Sequence, residues 1–244
     1  MNKRHYIGKI LRLKKNIKFL YRERERIESL KCFEKRHISN GFYYIAGIDE
    51  VGRGALAGPV VAAAVVIKDI DYFYLTYLKD SKRLNRVKRE DISEFIKYKS
   101  RDIGIGIVEP DIIDKINIVQ ATFLAMKRAL MNLKRFPDYI LVDAFKIPYI
   151  RIPQDNLIKG EDKSISIAAA SIIAKVCRDK IMYDFNKKYP FYQFDKNLGY
   201  GTRNHIMAIK KYGICPLHRK TFKNVSRDMD INKNVIKQER LYAY

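Results

Sequence analysis

The chain has 244 residues, of which 49 are Lys or Arg and 27 are Asp or Glu, so its formal net charge is +22. This length fits one α/β domain with an appendage, and 47% hydrophobic residues are enough to bury a core. So large an excess of like charge opposes compaction and is typical of a protein that binds a polyanion, nucleic acid first and an anionic membrane surface second.

Three classes of protein are not expected. The longest wholly apolar run, Pro59 to Ile67, is far shorter than the ~20 residues of a membrane helix, and the basic N-terminus lacks the apolar region of a secretory signal. The three cysteines, Cys32, Cys177 and Cys215, lie far apart without zinc-binding spacing. We therefore expect reduced thiols in a cytoplasmic protein with no membrane partner.

Residues 1–42 form a basic segment with thirteen Lys or Arg against four Glu, a net charge of +9. Apolar residues recur there at helical intervals, which predicts an amphipathic helix or helical pair that ends near Ser39-Asn40-Gly41. Two interpretations are open: the segment docks on the body of the protein, or it adds charge for binding phosphates.

Strands and helices alternate through the rest of the chain. Strands are predicted over residues 42–48, 59–67, 103–108 and 139–142. Helices are predicted over residues 80–100, 110–133 and 164–187, followed by a segment rich in Gly, His and Arg at 197–224. This order predicts an α/β fold with a mixed sheet. We divide the chain into the N-terminal extension 1–42, a single domain 43–224 and a polar tail 225–244.

Two acids, Asp49 and Glu50, stand at the end of an apolar strand, directly before the turn Gly52-Arg53-Gly54. Neighbours on a regular strand point to opposite faces. The two carboxylates can share a site only if the strand ends or twists there, which the glycines permit.

Two further acids are candidates for the same site. Asp143 ends the apolar strand 139–142, and acids at strand ends of an α/β sheet project into the usual ligand crevice. Asp179 lies on the long helix one turn after Lys175 and so on the same face. Each acid alone could instead be a cap or turn former, and spacing does not prove that they converge.

Gathered carboxylates need a cation or raised pKa values, because two like charges at ~4 Å repel by roughly 4 kcal/mol at an effective dielectric of about 20. Oxygen ligands favour Mg²⁺ or Mn²⁺ over zinc. In so basic a protein, gathered carboxylates suggest metal-assisted attack on a phosphodiester, with two ions stabilising the attacking and leaving oxygens.

The glycines at 52–58 also approximate a dinucleotide-binding fingerprint, which requires a helix directly after them. Here a β-branched strand that begins at Pro59 follows instead, so we reject that interpretation. A glycine turn whose backbone lies flush against a sugar-phosphate chain suits the charge better.

Taken together, the motifs resemble those of the ribonuclease HII family, the type 2 ribonucleases H, over residues 43–222. The motifs, in order, are Asp49 to Pro59, Asp80-Ser81-Lys82-Arg83-Leu84, Asn117 to Thr122, Val142-Asp143, Lys159 to Ser164, Ala168 to Asp179, Gly199 to Thr202 with His205, and His218 to Phe222. Each alone is weak, but their order and spacing are specific. One departure is Ala55, where the family pattern has proline; it loosens the turn without removing a ligand.

The resemblance implies a ribonuclease H-like mixed sheet flanked by helices, with a helical C-terminal part. It also implies the catalytic acids, which are Asp49, Glu50, Asp143 and Asp179. The first three would be the metal ligands for Mn²⁺ or Mg²⁺, and Asp179 would complete the site.

Substrate contacts follow from the same resemblance. Gly52, Arg53 and Gly54 would contact the ribonucleotide and its 2′-hydroxyl, and Arg53 argues against the sister family, ribonuclease HIII, which has threonine there. Tyr200 would stack on the deoxyribose that follows the ribonucleotide. Lys175 is either a solvated lysine or charge compensation for Asp179, and we include it among the substrate-binding candidates.

Five other side chains have less specific expectations. We expect His205 and His218 to form structural hydrogen bonds. Lys146, Lys159 and Lys163 are either phosphate contacts or ordinary surface lysines.

The function implied is an endonuclease that hydrolyses the RNA strand of RNA–DNA hybrids and nicks 5′ of single ribonucleotides in duplex DNA, leaving 3′-hydroxyl and 5′-phosphate ends. A monomer is expected. Two alternatives stay open at this point: another nuclease of the ribonuclease H fold, such as a resolvase or exonuclease, and a non-catalytic basic nucleic-acid-binding protein.

Overall fold

The structure, a computed structural model, describes residues 17–18, 21–69 and 86–225. Its strands are β1 (Ile45–Val51), β2 (Val60–Ile67), β3 (Ser100–Val108), β4 (Tyr139–Asp143) and β5 (Gln154–Leu157). Its helices are α1 (residues 21–30 of the described part), α2 (Cys32–Ser39), α3 (Arg86–Lys99), α4 (Pro110–Met131), α5 (Ile165–Lys188), α6 (Phe194–Asn197) and α7 (Arg203–Tyr212). Short 3-10 turns cover Gly160–Asp162 and Pro190–Tyr192.

The five strands form one mixed sheet in the order β3-β2-β1-β4-β5. β2 pairs antiparallel with β1 and with β3, whereas β4 pairs parallel with β1 and with β5. This confirms the predicted α/β class.

Helices cover both faces of the sheet, which explains why the sequence of β2 is apolar throughout. Its alternate residues belong to two separate cores: Ala62 and Val66 pack with the residues of α4, while Val61 and Val65 pack with those of α5. Side chains of successive strand residues point to opposite faces, so a strand covered on both faces needs apolar residues at every position.

The N-terminal segment docks on the second of these cores, which confirms the first of its two interpretations for the described residues. Ile27 and Leu30 of α1 are buried in that core. Glu34 of α2 is also buried and accepts hydrogen bonds from the hydroxyl of Ser164 and from the amide and hydroxyl of Ser166, at the first turn of α5. Burial raises the pKa of Glu34, while these hydrogen bonds and the positive end of the helix dipole oppose that shift. The three-part division of the chain stays a prediction.

Several element boundaries differ from those predicted. β1 begins at Ile45 rather than at residue 42, because the amides of Tyr43 and Tyr44 donate to the Asp138 carboxylate instead of to a strand. It extends to Val51, which pairs with Val61 of β2. The strand β5 was not predicted, since three of its four residues are polar.

The long helix α5 begins one residue after the predicted start, at Ile165, and its N-cap Ser164 accepts the amide of Ile167 at 3.2 Å. The Asp80-to-Leu84 motif and the tail beyond residue 225 lie outside the described residues. Within the described ranges, no helix has both the length and the apolar character that a membrane span requires.

Candidate active site

The register of the sheet brings two of the predicted acids together. Ile48 of β1 pairs with Val142 of the parallel strand β4, so the next residues, Asp49 and Asp143, stand side by side at the carboxyl ends of their strands. Both line a cavity of about 340 Å³, together with Glu50.

Eight of the nine predicted site residues line this cavity: Asp49, Glu50, Gly52, Arg53, Gly54, Asp143, Lys175 and Tyr200. The sheet ends supply the acids, the loop after β1 supplies the glycine turn, and α5 supplies the lysine.

Asp49 is buried, and its Oδ1 accepts the amide of Glu50 at 2.8 Å. Burial raises the pKa of Asp49 well above its usual value, and the charges of Glu50 and Asp143 raise it further, while the Ser171 hydroxyl opposes the shift. The pKa of Glu50 is raised too, mainly by burial, although its Oε1 accepts Nη1 of Arg53 at 3.1 Å. Two buried carboxylates whose pKa values are raised, each with the charge of Asp143 among the causes, form a site where a cation would be favourable.

Asp143 connects the acids to a residue that the sequence interpretation missed. Its Oδ1 accepts the amide of Gly160 at 2.7 Å, which holds the 3-10 turn Gly160–Asp162 against the end of β4. Glu161 in that turn lines the cavity, and its Oε2 lies 3.5 Å from the Ser171 hydroxyl of α5. The available signal was an acid directly after a glycine in a family motif, just before the alanine-rich helix.

Asp179 is the predicted site residue that the structure places elsewhere. On α5 it lies eight residues after Ser171, which is ~12 Å along a helix axis. Its Oδ2 pairs with Nη1 of Arg89 at 2.6 Å, and among the described residues it is not part of the cavity lining. Burial raises the pKa of Asp179, and Arg89 and Lys175 oppose that shift. Asp179 and Lys175 lie on the same face of α5, as predicted, but of the two only Lys175 is among the cavity-lining residues.

The glycine turn is supported from below by two buried arginines that sequence reasoning also missed. Gly52 has a φ of +91°, and a Cβ there would lie 2.2 Å from Nε of Arg178. Nη1 of Arg219 donates to the carbonyl of Arg53 at 2.9 Å, so the amide of Gly54 points away from the buried side of the turn. In this peptide the carbonyl is engaged by Arg219, and the N–H of Gly54 is on the opposite side.

These arginines have backbone carbonyls as their hydrogen-bond partners among the described residues. Arg178 donates to Ala57, Pro59 and Leu198, and Arg219 donates to Arg53 and twice to Gly58. They fix the loop between β1 and β2 from one side.

Tyr200 lies on a loop that is tied to the same segment. The amides of Leu56 and Ala57 both donate to the carbonyl of Gly199. The Tyr200 ring is 38% exposed, and the guanidinium carbon of Arg178 lies 5.3 Å from its centroid. The glycine turn and the tyrosine are therefore held in a fixed relationship.

The remaining expectations, for three lysines and two histidines, have different outcomes. Lys146, Lys159 and Lys163 are exposed and are not among the cavity-lining residues of the described chain. His205 and His218 are buried and hydrogen-bonded to each other, which confirms their structural role.

The donor set of the cavity is chemically suited to a hard divalent cation, because Asp49, Glu50, Asp143 and Glu161 offer only oxygen. As the described side chains stand, no three of the Asp, Glu, His and Cys groups are already arranged around a common ion position. The carboxylates would turn toward an ion on binding. Such a site beside a glycine turn is suited to hydrolysis of a phosphodiester.

Comparison with known proteins agrees with this geometry. Residues 46–225 match the family model described as ribonuclease HII. A ribonuclease HII of Clostridioides difficile (strain 630) is 50% identical over 219 residues, covering 89% of this chain and 85% of the relative. The crystal structure of ribonuclease H2 from Pyrococcus horikoshii OT3 has a TM-score of 0.68 at 27% identity, covering 78% of this chain and 98% of the other. Bst-RNase HIII, solved in complex with Mn²⁺, shares the fold, with a TM-score of 0.59 at 21% identity over 78% of this chain and 70% of its own.

Proposed function

Since this chain belongs to the ribonuclease HII family, we propose which of its residues perform the reaction of a ribonuclease H. The protein is an endoribonuclease that hydrolyses the RNA strand of RNA–DNA hybrids and nicks 5′ of single ribonucleotides in duplex DNA. The products are a 3′-hydroxyl and a 5′-phosphate. The residue roles below are our own assignment.

Asp49, Glu50 and Asp143 are the metal ligands in this proposal, and Glu161 is the fourth acid. Asp179, the fourth acid of the sequence interpretation, stays the alternative. The cavity position of Glu161 and its approach to Ser171 favour it, whereas Asp179 has Arg89 as its partner.

These oxygens would hold a divalent ion, which would supply an activated water at neutral pH and neutralise charge on the scissile phosphate. The family uses divalent metals, and the Mn²⁺ complex of the related Bst-RNase HIII supports Mn²⁺ or Mg²⁺ for this chain. Two backbone amides fix the side chains that would hold the ion: the Gly160 amide donates to Asp143, and the Glu50 amide donates to Asp49.

Recognition of the ribonucleotide is assigned to the turn Gly52-Arg53-Gly54. The 2′-hydroxyl is both a donor and an acceptor, and it distinguishes RNA from DNA at a single position. Backbone groups of a glycine turn can approach it where a side chain would collide. Tyr200 supports the next sugar, and Lys175, which lines the same cavity, supplies positive charge for a phosphate.

The observation that carries this proposal is the register that places Asp49 beside Asp143. The test compares wild type with Asp143→Asn on a duplex that contains one ribonucleotide and on an all-DNA duplex, each with and without divalent metal. We expect wild type to nick the first duplex only, at the ribonucleotide and only with metal, and Asp143→Asn to nick neither. Metal-independent cleavage, or equal cleavage of both duplexes, would contradict the proposal.

The same substrates separate the alternatives. A resolvase or exonuclease of this fold would not require the ribonucleotide, and a non-catalytic binder would be unchanged by Asp49→Asn. We also propose that the protein acts as a cytoplasmic monomer in ribonucleotide removal, which light scattering with and without duplex and fractionation of cells would test.

A further inference from the structure

We propose that His205 and His218 are positioning residues: two neutral imidazoles in fixed tautomers that hold the peptide carbonyl of Tyr200, and with it the aromatic ring at the cavity. The inference rests on the proposed role of Tyr200 and deepens it. Neither histidine lines the cavity, so both act through the tyrosine.

Hydrogen bonds join the two rings into a chain that leads to Tyr200. The amide of Cys215 lies 2.9 Å from Nδ1 of His218. Nε2 of His218 lies 3.1 Å from Nε2 of His205, and Nδ1 of His205 lies 2.9 Å from the carbonyl oxygen of Tyr200.

The protons of this chain can be assigned from its two ends. Nδ1 of His218 lies near three groups of Cys215: the amide at 2.9 Å, Sγ at 3.2 Å and the carbonyl oxygen at 3.3 Å. A backbone amide always carries its hydrogen, so we assign Nδ1 as the acceptor in the shortest of these contacts, and the neutral ring then carries its proton on Nε2. That proton is donated to Nε2 of His205, whose own proton must therefore lie on Nδ1. A carbonyl oxygen can only accept, so the Nδ1 proton of His205 is donated to Tyr200. The assignment is consistent at every link.

Both rings are fully buried, which keeps them neutral. Burial lowers the pKa of both histidines, and that of His218 falls to about 4. The surroundings are largely aromatic, with Tyr192 and Phe194 within 4.9 to 6.4 Å of the two rings, centroid to centroid. An extra proton on His205 would place two N–H groups face to face across the 3.1 Å contact, and one on His218 would face the Cys215 amide at 2.9 Å.

His205 adds a side-chain contact to a loop that backbone contacts already hold: the carbonyl of Tyr200 also accepts the amide of Thr202 at 2.8 Å, and the amide of Tyr200 donates to the carbonyl of Asn197 at 2.9 Å. Gly199 has a φ of +80°, and a Cβ there would lie 2.3 Å from the Ala57 carbonyl oxygen, so the backbone is tightly seated against the segment after β1. Beyond Tyr200 the chain turns into α7, where the Thr202 hydroxyl accepts the amide of His205 at 3.3 Å. His205 thus ties the carbonyl of Tyr200 to the first turn of α7.

The tautomers can be read directly by NMR on protein labelled with ¹⁵N-histidine, which contains only four histidines. We expect, near neutral pH, an Nδ1-protonated neutral ring for His205 and an Nε2-protonated neutral ring for His218, each assigned by its loss in a variant. A charged ring, the reverse tautomers, or Nε2 protons on both rings would overturn the proposal whether or not the enzyme cleaves.

The kinetic test is a double-mutant cycle on the single-ribonucleotide duplex. His205→Leu should lower kcat/KM by about five- to tenfold, while His205→Asn, whose amide can donate from the position of Nδ1, should recover most of it. If His205 acts through Tyr200, adding His205→Leu to Tyr200→Ala should lower kcat/KM by less than about twofold more. Equal losses in both backgrounds would refute the coupling.

Failure of this inference differs from failure of the proposed function. If Tyr200→Ala itself leaves kcat/KM unchanged, the role of Tyr200 is wrong even where the tautomers are as expected. Should His205→Leu fail to fold, His205→Asn and the NMR spectra of wild type still decide the question.

Discussion

The carboxylate of Asp179 and the guanidinium of Arg89 form an ion pair of 2.6 Å in which the two side chains are only 8% and 12% exposed. A carboxylate so engaged is neutralised by protein, whereas Glu161 faces the cavity that contains Asp49 and Asp143. We therefore propose separable roles for the two acids, Asp179 in the structure of the α3–α5 contact and Glu161 at the cavity.

Matched amide variants should separate these roles. We expect Glu161→Gln to lower kcat by at least about 10- to 100-fold, the range for residues that tune a metal site, with little change in Tm. Asp179→Asn should lower Tm, because it removes the charge of a buried ion pair, and should leave most of the cleavage activity. Loss of cleavage in Asp179→Asn at unchanged Tm would restore Asp179 as the fourth acid.

Asp49→Asn should abolish cleavage and raise the stability of the metal-free protein. The pKa of Asp49 is raised in the folded state by burial and by the charge of Glu50. The stability that this group contributes is present at acid pH and is lost as pH rises through the raised folded pKa, so near neutral pH the ionised side chain opposes folding. Removing the charge removes that penalty.

Thermal unfolding of both proteins at pH 7 with and without divalent ion checks this. The ion should raise the Tm of wild type, because it binds only the folded state, and should raise that of Asp49→Asn much less. Duplex binding, which does not need the missing charge, should be largely kept. A lower metal-free Tm in Asp49→Asn would contradict the raised pKa.

Gly52→Ala and Gly54→Ala are a matched pair for the glycine turn. At Gly52 the positive φ and the approach to Arg178 leave no room for a methyl group, so Gly52→Ala should lose about 2 kcal/mol or more of unfolding free energy. At Gly54 a Cβ meets nothing within 4 Å, so Gly54→Ala should keep the wild-type Tm.

The second variant then reports on the substrate. If Gly54 lies against the ribonucleotide, the added methyl group should raise KM for the single-ribonucleotide duplex while the fold is intact. Denaturant unfolding and steady-state kinetics give both quantities, and a Gly54→Ala protein with unchanged KM would place the substrate away from this residue.

The buried histidines predict a loss of stability on acidification. The folded pKa of His218 is lowered to about 4, chiefly by burial and further by His205. An unfolded histidine ionises near pH 6.5, so below that pH the unfolded state takes up a proton that the folded state does not. The unfolding free energy should therefore fall between about pH 6.5 and pH 4, by up to about 3 kcal/mol for this one group.

His218→Asn removes this titration and offers an oxygen to the Cys215 amide. The variant should be less stable at pH 7 but should show a shallower fall in unfolding free energy toward pH 4 than wild type. Because Asp49 and Glu50 titrate equally in both proteins, the difference between the two curves reports on His218 together with its hydrogen-bonded neighbour His205. Parallel curves would show that His218 is not held neutral.

Of the acids predicted from the sequence, those near strand ends line the cavity and the one on the helix does not, and the reason is geometric. Asp49 and Asp143 each follow an apolar strand, and parallel pairing of such strands brings their ends together. The face shared by Lys175 and Asp179 was also correctly inferred from helical spacing, but a helix face is a stripe, and only part of it reaches the cavity. Glu161 lies in a 3-10 turn, which leaves no periodic pattern in a sequence.

The two arginines that hold the glycine turn could not be predicted from the sequence, for a related reason. Arg178 and Arg219 donate to backbone carbonyls, and carbonyls exist at every residue, so nothing in the sequence marks a partner for either arginine. β5 was missed because a polar edge strand lacks alternation. Such contacts become apparent only when the chain is folded.

The docking of Glu34 limits how far the N-terminus of this enzyme can be truncated. The match to the family model starts at residue 46, yet a cut there would delete the acceptor of both serine hydroxyls at the head of α5 and uncover the sheet face that Ile27 and Leu30 shield. α5 also carries Ser171 and Lys175 into the cavity. The segment matched by the family model is thus shorter than the segment needed to hold α5 in place beside the cavity.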